Sequence, residues 1–176
     1  MKTYVITLSK RFLAGHNRAG QSTMFQDKFL LGIGCPDCST VQDLSGENIS
    51  PCNSCQRACL QQKIHTIRAN YPLWEKRISE VERGEACLSI RQWTDKPYQS
   101  KQVEIARLTK EDGVGIQKAY FFHPYDCGSI YVSHKHNREL IATNDGLSLA
   151  DWLSWFSSTR KPLEPMAVIH FTKFRY

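Results

Sequence analysis

The chain has 176 residues, 41% of them apolar and 23% charged, with a formal net charge of +6. That length supports one domain with a sizeable core, and the apolar content excludes a chain disordered throughout. The positive balance is compatible with a polyanionic partner, but the basic residues are spread along the chain without the dense run of a general nucleic-acid coat protein.

The opening MKTYVITLSKRF alternates like a strand over Thr3 to Leu8 and lacks the pattern of a secretory leader. No apolar run is long enough to span a bilayer, so the expectation is a soluble, cytoplasmic, monomeric protein without membrane contact. A Gly-punctuated basic loop, AGHNRAGQST, follows; its glycines and Arg18 offer a weak phosphate-binding pattern. MFQDKFLL is a short helix candidate. Residues 32–61 are then rich in Asp, Ser, Asn, Gly and Pro, with no sustained periodicity, and read as an insertion into a single domain spanning residues 1–176.

Beyond it, Lys63 to Arg68 reads as a strand and YPLWEKRISEVERG as a helix. Pro72 stands in the first turn of that helix and Gly84 stops it. Trp74, Ile78 and Val81, at i, i+4 and i+7, give it one buried stripe. ACLSIRQW and KQVEIARLT form an expected strand pair joined by the turn-rich TDKPYQS. QKAYFF, SIYVS and RELIAT are further strand candidates. NDGLSLADWLSWF opens a helix in which Ser148 and Asp151 make a capping-box-like start and Leu149, Trp152, Leu153 and Phe156 an apolar stripe. PMAVIHFTKF supplies a last strand. Many short strands with two flanking helices indicate an α+β fold around a small barrel of about six strands.

Seven cysteines are many for a chain without a secretory signal, and five of them fall between Cys35 and Cys59. Clustering of this kind points to metal before disulfides. Cys35 and Cys38 in CPDC, with Cys52 and Cys55 in CNSC, form paired knuckles able to complete a tetrahedral, structural Zn2+ site; Cys59 is a spare or alternative ligand. Four thiolates leave no open coordination position, so the metal's expected role is to staple an insertion too polar to fold alone.

The stretch KIHTIR, from Lys63 to Arg68, resembles the signature of ASCH domains in the PUA-like superfamily, usually GxKxxExR. Lys63 and Arg68 keep their places, Gln61 stands where the glycine would be, and Thr66 where the glutamate would be. A threonine there is similar to the N4-acetylcytidine amidohydrolase branch. The order of elements fits as well: first strand, motif strand, helix, barrel, second helix and closing strand. The resemblance implies that Thr66 attacks an acyl carbon, Lys63 activates it, and a downstream carboxylate moves protons. The matching carboxylate is Asp145, one methylene shorter than the family's glutamate.

Physical chemistry adds conditions. A lysine serves as base only if burial or nearby cations lower its pKa. Lys63 and Thr66 are three apart, so a regular strand would point them to opposite faces; they share a site only if Lys63 lies in the loop entering the strand or the strand bends. Arg68 suits stacking on a base or gripping a phosphate, against a surface ion pair. Arg91, Trp93, Tyr98 and Lys101 mix aromatic and basic character as the wall of a base-sized pocket would, although Trp93 equally suits the core. Two other readings stand beside the amidohydrolase: a non-catalytic RNA-binding module, and a zinc-stapled protein-interaction domain. The expected partner is RNA or a modified nucleoside.

The metal reading is testable by composition. Purified protein should carry about one zinc per chain, as expected for one tetrahedral four-thiolate site, and lose it when Cys35 and Cys52 are both changed to serine. Metal-free protein, freshly prepared under reducing conditions and measured by elemental analysis, would contradict it.

Overall fold

In the computed structural model, residues 1–34, 61–121, 130–132, 138–156 and 164–176 are described. Cys35, Cys38, Cys52 and Cys55 lie outside them. The described chain runs β1 (Lys2–Leu8), α1 (Phe25–Gly32), β2 (His65–Arg68), α2 (Tyr71–Glu82), β3 (Ala86–Trp93), β4 (Gln102–Leu108), β5 (Gly115–Phe121), β6 (Ile130–Val132), α3 (Arg138–Asn144), α4 (Leu149–Phe156) and β7 (Met166–His170).

The strands form two sheets, ordered β1-β3-β4 and β2-β7-β5-β6. β1 runs parallel to β3, with Ile6 opposite Ile90, and β3 runs antiparallel to β4. The second sheet is antiparallel throughout. Among the described residues neither sheet closes on itself. The α+β class therefore holds, while the expected single barrel gives way to two sheets, with the first and last strands in different ones. Alternation along a strand reports which face is buried, not which strands become neighbours.

The core is one cluster between the sheets and helices. Ile6 and Leu8 of β1 meet Leu88 and Ile90 of β3, all almost fully buried, while Thr3 and Val5 face outward. Trp74, Ile78 and Val81 bury the expected stripe of α2, whose amino end is capped by the Asn70 side chain accepting from the Leu73 amide at 3.2 Å. In α4 the Asp151 amide donates to Ser148 Oγ at 3.1 Å; Trp152 is buried, whereas Leu153 of the expected stripe is exposed. No described helix is long and apolar enough to cross a membrane.

Two helices lie outside the expected pair. α1 confirms the MFQDKFLL candidate, and RELIAT is α3 rather than a strand. Ile141 and Ala142, adjacent in sequence, are both buried, which no half-exposed strand allows. The helix ends in a Schellman motif: the Leu147 amide donates to Ala142 O at 3.0 Å and the Gly146 amide to Thr143 O at 2.9 Å, with Gly146 at φ +75°. The loop from residue 14 to 23 is occupied by its own contacts. Arg18 pairs with Asp151 at 2.9 Å and lies over the Phe12 ring, so it docks the loop on α4 instead of reaching for a phosphate.

On the face of β2 turned from Thr66, His65 pairs with His170 of β7, both fully buried with ring centroids 5.8 Å apart. His65 Nδ1 meets Tyr176 Oη at 3.0 Å. Burial keeps both imidazoles neutral. It pushes His170 down to about 3, aided by the Arg175 charge, and holds His65 well below the ordinary histidine range, aided by His170 and Lys63. On unfolding both recover a value of about 6.5. The unfolded chain therefore binds more protons below that value, and stability is complete above it and lost as the pH falls toward the folded-state pKa. The unfolding free energy from urea titrations should drop between about pH 7 and pH 5, by up to about 1.4 kcal/mol per histidine per pH unit. His170→Phe should flatten that slope; an unchanged slope would contradict the assignment.

Candidate functional site

Lys63 lies two residues ahead of β2, in an isolated antiparallel bridge to Asp145. Its amide donates to Lys28 O of α1 at 2.9 Å, and the Ile64 amide to Asn144 O of α3 at 2.9 Å. The backbone at Lys63 is thus held between the carboxyl-terminal turns of two helices. The approach to α1 requires glycine: a Cβ at Gly32 would stand 2.6 Å from Lys63 O. Because Lys63 precedes the regular strand, the opposite-face rule does not bind it. Its side chain lines the same cleft as Thr66 and Arg68, which share one face of β2.

The Lys63 ammonium, 1% exposed, donates to the Asp145 backbone carbonyl at 2.9 Å and to the Asp145 carboxylate Oδ1. It also lies 4.2 Å from the centroid of the Phe25 ring. Asp145, 4% exposed, occupies the carboxyl cap of α3. A cation there satisfies a carbonyl the helix leaves open and complements the negative end of its dipole. Lys28 Nζ does the same for Gly146 O at 2.7 Å.

Burial opposes charge on both partners. It lowers the Lys63 pKa, against the charge and hydrogen bond of Asp145, which raise it; the Arg68 charge lowers it further. Burial likewise raises Asp145, against Lys63, Arg68 and the Trp152 indole N–H, which favour its ionised form. Burial thus works against the ionised form of both groups, while their mutual charge and hydrogen bond work for it. A lysine whose pKa is lowered and a carboxyl whose pKa is raised are the kinds of group that proton transfer uses.

The cleft has two compartments. The inner one, about 40 Å³, is lined by Lys63, Thr66, Asp145, Phe25 and Trp155, among others. The outer one, about 430 Å³, is lined by Lys10, Phe12, Trp93 and Tyr98 among its residues. Thr7, Ser9 and Arg68 line both. Trp155 packs edge-on against Phe12 at 5.8 Å and tilted against Phe25 at 5.6 Å, linking the aromatic walls of the two. Arg68 Nη2 donates to Thr7 O at 2.7 Å, while its Nε–H is buried without a hydrogen-bond partner. Burial lowers the Arg68 pKa and Asp145 raises it; a guanidinium remains charged throughout.

The expected residues divide between these surroundings. Lys63, Thr66, Asp145 and Arg68 meet at the inner compartment, and Trp93 lines the outer one with Tyr98. Arg91 and Lys101 line neither. Arg91 sits opposite Glu104 on β4, at 3.7 Å, and donates to Ser89 Oγ at 2.8 Å. Lys101 is exposed, and its backbone carbonyl closes the turn by accepting from the Thr94 amide at 2.9 Å. Sequence reasoning missed Phe25, Lys28 and the Thr7–Ser9 end of β1. The basic Lys10–Arg11 pair just after the first strand was the one local signal for the last of these. Among the described residues no group of His, Cys, Asp and Glu could hold a metal ion. No protein-family model, curated protein or solved structure matches the chain.

Removing one partner of a buried ion pair strands the other. Lys63→Met should lower stability by about 3–5 kcal/mol, and adding Asp145→Leu should recover most of it. Urea denaturation of the single and double variants checks this; a single variant as stable as the parent would contradict a buried, paired Asp145.

Proposed function

We propose that the cleft recognises a cytosine base carrying an N4-acyl group and hydrolyses that amide. The observation that carries the reading is the buried Lys63–Asp145 pair on the wall of a compartment that Thr66 also lines. The size of that compartment supports it. About 40 Å³ exceeds the roughly 10–15 Å³ that one water needs and suits a small acyl end while the base stays at the mouth.

In the proposed reaction the Thr66 hydroxyl attacks the acyl carbon as the Lys63 amine takes its proton. The C–N bond then breaks, and a proton supplied by the pair through Asp145 goes to the departing exocyclic amine of cytosine. Water then adds to the acyl ester on Thr66 and gives a proton to the same pair, which returns it to the departing Thr66 oxygen, so that the carboxylic acid and the free hydroxyl are released. Arg68, at the junction of the compartments, offers N–H donors to the oxygens of the bound nucleoside.

The resemblance to ASCH domains of the PUA-like superfamily belongs to this proposal. It is supported by the KxxTxR spacing and by a carboxylate just ahead of the helix that holds Trp152, while the two open sheets depart from the barrel it implies. The paired CxxC motifs are the proposed seat of one structural zinc, and no step of the reaction passes through it. One observation favours the RNA-binding module instead: Lys63 also serves as a cation at the carboxyl end of α3, a role that needs no chemistry.

Incubation with N4-acetylcytidine should yield cytidine and acetate. Thr66→Ala should abolish release with the melting transition preserved, and Thr66→Ser should retain part of it. Asp145→Asn should slow release by about 10²-fold or more. Protein that binds RNA yet releases no acetate would overturn the hydrolase in favour of the binding module.

A further inference from the structure

We propose that the outer compartment is a second subsite, built for the nucleotide next to the modified one, so that the substrate is a single-stranded polynucleotide rather than a free nucleoside. This rests on the reading of the inner compartment as the place of the acyl end.

The two compartments are mismatched for a nucleoside alone. The inner one takes the acyl group, and the outer one, about 430 Å³, has the capacity of a complete small-molecule site, which typically runs from about 300 Å³ upward. Its wall is suited to a base. Trp93 and Tyr98 lie with ring centroids 5.4 Å apart at 53°. Tyr98 is 91% exposed and sits at φ +63°, a left-handed backbone that a bulky residue adopts against steric resistance. The turn that imposes this is tied down by the Thr94 amide on Lys101 O at 2.9 Å and the Asp95 amide on Ser100 Oγ at 3.0 Å. A hydrogen-bonded turn with a strained backbone thus presents a ring that, among the described residues, only Trp93 is shown to touch and that is almost wholly exposed; a stacked base would cover it.

The charge around that ring points the same way. Lys10, Arg11, Lys96 and Arg68 line the compartment against the single carboxylate of Asp95. Lys10 Nζ donates to Thr94 O at 2.6 Å, which joins the end of β1 to the turn and fixes the width of the mouth. At the junction, the buried Nε–H of Arg68 lacks an acceptor. A phosphodiester leaving the modified nucleotide would bring anionic oxygens to this guanidinium, and the next base would then reach Tyr98. A lone nucleoside brings no phosphate to Arg68 and no second base to the ring.

The test measures binding of cytidine, cytidine 5′-monophosphate and a short single-stranded oligoribonucleotide containing cytidine to the full chain. None is acylated, so turnover plays no part. The strand should bind at least about ten-fold more tightly than cytidine, the scale of one stacked base. Tyr98→Ala should remove most of that ratio and Tyr98→Phe should restore it. Lys96→Gln should reduce the slope of log affinity against log salt by about 0.7, the value for one lost single-strand phosphate contact. Equal affinity for strand and nucleoside, a monophosphate that matches the strand, or a ratio insensitive to Tyr98→Ala would each overturn the subsite. Strand binding through Tyr98 without acetate release from N4-acetylcytidine would refute the hydrolase and keep the subsite. Hydrolysis without strand preference would do the reverse.

Discussion

The Lys63–Asp145 pair is the constraint around which the site is organised. Two charges removed from water cost several kcal/mol each, and an apolar pair of similar volume is often at least as stable. The fold nevertheless retains them, and three features serve the contact. The end of α1 approaches so closely that only glycine fits at Gly32, the left-handed Gly146 ends α3 beside Lys63, and the Phe25 ring lies against the ammonium. Stability alone does not account for such an arrangement. Buried, mutually dependent titrations beside a cleft are a physical mark of functional sites.

The same pair explains why the cleft is divided as it is. Burial works against the charge of both amine and carboxylate, and the compartment that they line is narrow. In the proposed reading the neighbouring nucleotide falls to the wider space beyond Arg68, which Trp93, Tyr98 and basic side chains line. The proposal thus assigns proton transfer and ligand selection to adjoining spaces that share Thr7, Ser9 and Arg68.

Much of the local structure was legible in the sequence. The stripe of α2, the alternation of β1 and the pairing of β3 with β4 follow from periodicity and turn residues, which are short-range signals. Asp145 was recognisable from its place in NDGLS, although the helix it terminates was read as a strand because Leu, Ile and Thr suit either state. The convergence of Lys63 with Thr66 was only conditional, since it depends on where the regular strand begins. Closure of the sheets was not legible, because strand neighbours are chosen by tertiary packing. Arg91 failed for a related reason: its partner Glu104 is fixed by the β3–β4 register, with its irregularity at Ile90 and Arg91, and no single-strand pattern carries that.

The central claim, that burial lowers the Lys63 pKa while Asp145 opposes the shift, is tested most directly by following the Lys63 side-chain nitrogen by NMR through a pH titration. Comparison with Lys63→Arg would assign the signal. The account predicts that Lys63 titrates below the ordinary lysine range and that Asp145→Asn changes its titration. A Lys63 amine that titrates with the exposed lysines, indifferent to Asp145, would contradict it.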